Sequence, residues 1–225
     1  MSHSICLAEY IWLDGNPHVT QIRSKSKVLY LPQEHSDILL SHFSEWSFDG
    51  SSTCQAMTDH SDCYLQPVYF VKNPMHDTSR NVPRYLVLCE VFDAQEQPHP
   101  TNSRAILRDI LAAGADQTEA WFGFEQEYTM FKNNIPLGWP THGYPAPQGP
   151  YYCGVGTEQI FGRPLAELHA DMCIQAGLLY YGMNAEVMPG QWEFQIGYRD
   201  IQSEPIHALL ICDHLWIARW MLHYL

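Results

Sequence analysis

Residues 184–197, Asn-Ala-Glu-Val-Met-Pro-Gly-Gln-Trp-Glu-Phe-Gln-Ile-Gly, constrain the fold of this chain more than any other stretch. They read as two strands around Pro189-Gly190, a pair suited to positions i+1 and i+2 of a type II turn. If that turn closes a two-residue hairpin, Met188 pairs with Gln191, Val187 with Trp192 and Glu186 with Glu193. Two glutamates then face each other across the ladder, although a type II turn fits hairpin twist less well than the primed turns. A second segment, Phe124-Glu125-Gln126-Glu127-Tyr128, puts Glu125 and Glu127 on one face of a strand, because side chains alternate.

Like charges placed opposite one another destabilise a sheet unless something neutralises them. A divalent cation does so, and glutamate oxygens without cysteine favour Mg²⁺ or Mn²⁺ over zinc. From the residues alone a solvated sheet face remains the alternative. The setting of Phe124, Val187, Trp192 and Phe194 argues against ordinary surface.

The rest of the chain supplies two kinds of pattern. Residues 5–13 are apolar and β-branched, end at Asp14-Gly15, and find a returning strand in residues 19–31. Residues 85–92 form a nearly continuous apolar strand, and residues 46–53 and 73–83 read as loops. Gln95 to Pro100 is a polar, proline-bearing boundary. Beyond it, residues 103–113 have helical spacing, 121–131 read as a strand, 136–150 as a Pro/Gly loop, and 164–179 as a helix with Pro164 in its first turn. Asp213 is the expected cap of a last helix, which runs to Leu225 without Gly, Asn or Pro to end it. That ending is expected of a chain cut inside a longer domain.

Composition excludes several classes. Lys and Arg number 12 against 25 Asp and Glu, a net charge of −13, so a basic nucleic-acid footprint is missing. An acidic chain can still bind ATP through bridging cations. The opening residues have no basic stretch of a signal peptide, and apolar runs fall far short of the roughly 20 residues of a membrane span. The cysteines number 7, an odd and unpatterned count that points to reduced thiols in a cytoplasmic protein.

Six blocks of the sequence, taken in order, closely resemble type II glutamine synthetases: Trp46 to Thr53 (WSFDGSST), Leu86 to Phe92 (LVLCEVF), Thr101 to Arg104 (TNSR), Trp121 to Thr129 (WFGFEQEYT), Pro147 to Gly156 (PQGPYYCGVG) and Asn184 to Gly197 (NAEVMPGQWEFQIG). The resemblance covers nearly the whole chain and identifies it with the N-terminal portion of that family. It implies an α+β fold: a β-grasp-like domain over residues 1–97, then the first part of the catalytic domain, antiparallel sheet with helices, over 98–225.

The resemblance also implies the chemistry, ATP-dependent joining of ammonium to glutamate through γ-glutamyl phosphate. Glu127, Glu186 and Glu193 would hold one metal, and Glu125 would contribute to a second beside ATP. The family uses two to three Mg²⁺ or Mn²⁺ ions. Glu193, Phe194, Gln195, Ile196, Gly197 and Tyr198 fall on its nucleotide-contacting strand. Asp49, by itself only part of a turn, matches the aspartate that binds and helps deprotonate ammonium. Family members are homo-oligomers of stacked rings with sites between subunits, so Asp49 would serve a neighbour. No nucleic acid or membrane partner is implied.

Other features carry less. The loop PQGPYYCGVG lacks the Lys-Ser/Thr of a phosphate loop and reads as structural, near the site, with Arg163 a weak contact. His169, His214 and His223 read as packed or surface histidines. The sequence departs from the family in Tyr198, where Pro is usual, in a longer 198–212 connection and in an extended 75–85 loop, all compatible with a divergent or bacterial branch. The family's remaining metal ligands, its phosphate-binding arginines and its flap match nothing here, so the chain is expected to be inactive alone. Two alternatives stay open: a silent truncated paralogue acting in assembly or regulation, and a related ATP-dependent carboxylate–amine ligase.

Overall fold

A computed structural model describes residues 3–75, 82–147, 149–197 and 207–225. Its contacts divide the chain into two compact units, residues 1–119 and 120–225.

The first unit is built on five strands, β1 (His3–Leu13), β2 (Ile22–Pro32), β3 (Trp46–Asp49), β4 (Asp62–Lys72) and β5 (Arg84–Phe92), in spatial order β2-β1-β5-β4-β3. The Asp14-Gly15 turn closes the expected hairpin, registered from His3↔Pro32 to Leu13↔Ile22. β5 lies parallel to β1 and antiparallel to β4. A central strand covered on both faces reads as an unbroken apolar run, and every residue from Tyr85 to Val91 is buried. Tyr10, Trp12, Phe43, Phe48 and Leu65 complete the core around it.

One sequence expectation changes here, and one strand is new. Residues 46–49, expected in a loop, form edge strand β3, paired from Trp46↔Leu65 to Asp49↔Asp62. Strand β4 carried no expectation because Pro67 interrupts it and proline has no N–H for a ladder. The sheet absorbs Pro67 with a register shift between Pro67 and Tyr69. The extended 75–85 loop falls mostly on residues 76–81, outside those described.

Glu90 is the charged exception in that buried run, 2% exposed. Helix α1 (Ser103–Ala112) satisfies it: Arg104 Nη1 lies 2.7 Å from Oε1, and Arg108 pairs with Oε2. Asn102 caps the helix by accepting from Ala105 N–H at 3.0 Å, and its own amide donates to Glu90 at 3.2 Å. One buried carboxylate thereby fixes the start of α1 against the sheet.

In the second unit, β6 (Phe124–Thr129), β9 (Tyr180–Ala185) and β10 (Gln191–Ile196) make an antiparallel sheet in order β6-β10-β9. Between β6 and β9 come the two-residue strands β7 (Phe131–Lys132) and β8 (Ile135–Pro136) and helix α2 (Arg163–Gln175). Pro164 stands in the first turn of α2 as expected. The final helix, α3, spans Ala208–Tyr224 and is capped by His207, whose Nδ1 accepts from Leu209 N–H. Asp213 is therefore not its cap but a buried residue inside it. An aspartate resembles a cap in sequence whenever apolar residues follow, and the apolar run preceding it shows that the helix is already under way.

Candidate metal centre

Alternation along β6, β9 and β10 sorts their side chains onto two faces. One is apolar: Trp192, Phe194, Ile196 and Ala185 are buried. Phe194 stacks on Tyr180 at 5.8 Å and meets the edge of His169 at 4.9 Å. Trp192 Nε1 donates to the Phe161 carbonyl at 2.8 Å. Gln126, on this side of β6, accepts from Arg219 of α3.

The other face is carboxylate and amide. Glu193 pairs with Glu127 across β6–β10, and Gln195 pairs with Glu125. Across β9–β10 the partner of Glu193 is Asn184, not Glu186. Glu186 stands two residues further along, just past the end of β9, where its N–H donates to the Gln191 carbonyl at 2.9 Å. A two-residue difference preserves the face, because the side-chain period is two.

The type II turn exists where expected: Gln191 N–H donates to the Met188 carbonyl at 3.1 Å and Gly190 has φ +76°. It does not close a two-residue hairpin. Its twist opposes that of the strands, so the ladder ends at Ala185 and residues 187–190 bridge a wider loop.

This register brings oxygens of Glu127, Glu186 and Glu193 within 4.8 Å of one another. Glu186 is buried and Glu127 exposed. Side-chain amides surround the trio. Gln191 Nε2 donates to Glu127 Oε2 at 2.9 Å, Asn184 Nδ2 to Glu186 Oε1 at 3.1 Å, and Gln195 Nε2 to Glu193 Oε1. Val187 N–H adds a bond to Glu186 Oε2 at 3.1 Å. The donor set is three convergent carboxylates, which suits a hard divalent cation bound through oxygen. Glu125 shares the strand face but is not among these three.

The other expected residues divide. Phe194 and Ile196 turn into the core, so neither offers a side chain on the glutamate face. Gly197 is buried and donates to the Leu179 carbonyl at 2.8 Å. Tyr198 lies outside the described residues. Asp49 belongs to the first unit, exposed at the end of β3. It caps the short turn Gly50–Thr53 by accepting from Ser51 N–H at 2.9 Å and Ser51 Oγ at 2.6 Å. Those bonds, with weaker ones from Ser52, hold its carboxyl below the ordinary aspartate value.

Arg163 is engaged structurally: it donates to the Gly154 carbonyl at 3.3 Å and lies over the Trp192 ring. His169 and His214 are buried, and His223 is on the surface. Sequence reading missed the amides of Asn184 and Gln191 and the nearness of Tyr152. The Tyr152 hydroxyl is held above its ordinary value, first by the Cys153 thiol, then by Glu186 and Glu193. Cys153 N–H donates to the Ala185 carbonyl at 2.9 Å, which seats the 150s loop beside β9. Period-two spacing was a legible signal for the Gln191 amide on β10; the influence on Tyr152 had none.

Residues 4–94 match the family described as glutamine synthetase, beta-grasp domain. Over 97% of its length the chain is 48% identical to a chloroplastic glutamine synthetase of Chlamydomonas reinhardtii, covering 56% of that protein. Over 96% it is 48% identical to a glutamine synthetase of Streptomyces viridochromogenes, covering 58%.

Over nearly its whole length the chain is similar to glutamine synthetases.

It spans about half the length of the curated relatives it matches; the mouse glutamine synthetase, 44% identical, is covered over 53%. The fold agrees with the α+β expectation. A crystal structure of a novel glutamine synthase homolog superposes with a TM-score of 0.58 at 16% identity, over 98% of this chain and 48% of that one. Among the described residues no helix is long and apolar enough to cross a membrane.

Proposed function

We propose that this chain carries the carboxylate half of a glutamine synthetase active site, for ATP-dependent ligation of ammonium to L-glutamate. The convergence of Glu127, Glu186 and Glu193 within 4.8 Å, in a chain 44–48% identical to named glutamine synthetases, carries this reading. Those three glutamates would hold one Mg²⁺ or Mn²⁺, and Glu125 would contribute to a second. When bound, such ions neutralise phosphate and carboxylate charge as Lewis acids.

The protein's own groups do the rest. The carboxylate face binds and orients, while the apolar face of β10 keeps the strand rigid beneath it. Glu193 and Gln195 are its side chains toward the nucleotide, any contribution of Phe194, Ile196 and Gly197 runs along the backbone, and Tyr198, outside the described residues, completes the proposed set. Asp49, exposed and held ionised by Ser51, accepts a proton from ammonium at a carboxylate oxygen for a neighbouring subunit of a homo-oligomeric ring. The proposed compartment is the cytoplasm, consistent with the free thiols of the cysteines. The proposed β-grasp domain closes near residue 97, soon after the family match ends at 94.

We propose further that residues 1–225 do not make glutamine unaided. The resemblance assigns the second metal's other ligands and the phosphate-binding arginines to parts outside these residues. Losing one such donor costs on the order of 10²–10³ in rate. The test is ATP-dependent γ-glutamyl hydroxamate formation by this chain beside one extended to its relatives' length. Activity in the longer protein alone is expected. Equal turnover by both refutes the incompleteness, and silence from both refutes the ligase reading. A related carboxylate–amine ligase would instead prefer an amine other than ammonium or hydroxylamine.

A further inference from the structure

We propose that Asn184 and Gln195 are positioning residues: their side-chain amides form one continuous clasp that sets the separation of the Glu186 and Glu193 carboxylates before a cation arrives. The inference rests on the reading of those carboxylates as a cation site.

The clasp is traced bond by bond. Gln195 Nε2 has two hydrogens; one goes to Glu193 Oε1, the other to Asn184 Oδ1 at 2.8 Å. Asn184 Nδ2 then donates to Glu186 Oε1 at 3.1 Å. An ionised carboxylate only accepts, so both amides are fixed in orientation with nitrogen toward glutamate. The connection Glu193–Gln195–Asn184–Glu186 therefore has a single sense.

The backbone makes room for it. Gly182 pairs directly with Gln195 across β9–β10, and a Cβ at Gly182 would lie 2.9 Å from Gln195 Oε1. Glycine weakens a strand interior and often marks a close approach. Here it lets the Gln195 amide lie over β9, within reach of both acceptors.

The chemistry of the donors matters as much as their place. Arginine or lysine would bind the carboxylates more strongly but would cancel the charge a cation needs. Neutral amides orient the oxygens and leave the negative charge in place. Each carboxylate has about four lone-pair positions, so one or two amide bonds leave others for a metal. Groups that orient metal ligands from behind typically influence affinity by about 10–100-fold.

The test is Mn²⁺ titration of the 225-residue chain, following the electron paramagnetic resonance signal of free Mn²⁺, with thermal melting in parallel. Asn184→Ala and the near-isosteric Gln195→Met should each weaken Mn²⁺ binding roughly 10-fold or more, with little change in melting temperature. The double variant should be about as weak as either single one, because one clasp breaks only once. Gly182→Ala, which keeps both amides but displaces Gln195, should also weaken binding. Parent-like affinity in all three single variants overturns the clasp, as does an additive loss in the double variant. Glu193→Gln separates the two claims: if it too leaves Mn²⁺ affinity unchanged, the cation-site reading itself has failed. A Glu193→Gln loss beside unaffected amide variants sinks the clasp alone.

Discussion

Glu90 and Glu193 are both glutamates on strands, and their surroundings are opposite. Glu90 is buried against Arg104 and Arg108, so its charge is spent within the fold. Glu193 faces Glu127 across the ladder and receives an amide, so its charge stays available. A carboxylate that meets guanidinium is structural; one that meets other carboxylates and amides is set up for a cation supplied from outside. The same contrast separates the two units. The first pairs its buried glutamate with guanidinium, while the second surrounds its buried Glu186 with amides and has the imidazoles of His169 and His214 lowered by burial.

The strongest way to break the contrast is Glu90→Gln. It leaves Arg104 and Arg108 without their counter-charge and should cost about 3–5 kcal/mol, toward the low end because Arg108 is partly exposed. Urea denaturation, with hydrogen exchange read over residues 1–119, measures it. A loss under 1 kcal/mol would mean that Glu90 does not fix α1.

Acidification should expose the second unit's weakness next. Burial takes His214 down to about 4 from the ordinary 6.5. Between those values the unfolded chain binds the proton and the folded chain does not, so stability falls as pH drops from 6.5 toward 4 and then levels off. The loss from this group is roughly 3 kcal/mol, and His169 shifts in the same direction. Replacing His214 with Gln should flatten that limb of a stability–pH curve, whatever its cost at neutral pH. An unchanged slope would contradict the neutral buried imidazole.

Asn102→Ala removes both the α1 cap and a bond to Glu90, and should cost about 1–2 kcal/mol in the same denaturation experiment. A null effect would mean the arginines suffice. The smallest effect should have the opposite sign. Without metal, Glu193→Gln relieves a like-charge pair and should stabilise the chain by about 0.2–1 kcal/mol. In saturating Mn²⁺ the order should reverse, since the parent gains binding free energy that the variant lacks. Failure to reverse would place Glu193 with Glu90 as a structural carboxylate.

The sequence was most legible where local pattern and global fold agree. The β1–β2 hairpin, the buried β5, α1, α2 and β10 follow from turn residues, apolar runs and spacing, whereas β9 lies mostly before the 184–197 stretch expected to hold both strands. Strand β4 was illegible because Pro67 argues against a strand and only the neighbouring β3 and β5 override it. Asp213 misled because capping chemistry and a buried helical aspartate look alike in one dimension.

At the site, period-two alternation by itself determined that Glu125 and Glu127 share a face and that Glu193 and Gln195 share another strand's face. Turn chemistry placed Pro189-Gly190 in the connection between β9 and β10. Tertiary structure alone decided which carboxylates meet, because register depends on how closely two strands can pair toward a turn whose twist opposes theirs. The two-residue difference put Asn184 opposite Glu193 and Glu186 at the loop's edge. It left the glutamates on one face and supplied the amide between them, an outcome of pairing distances that no reading of single residues contains.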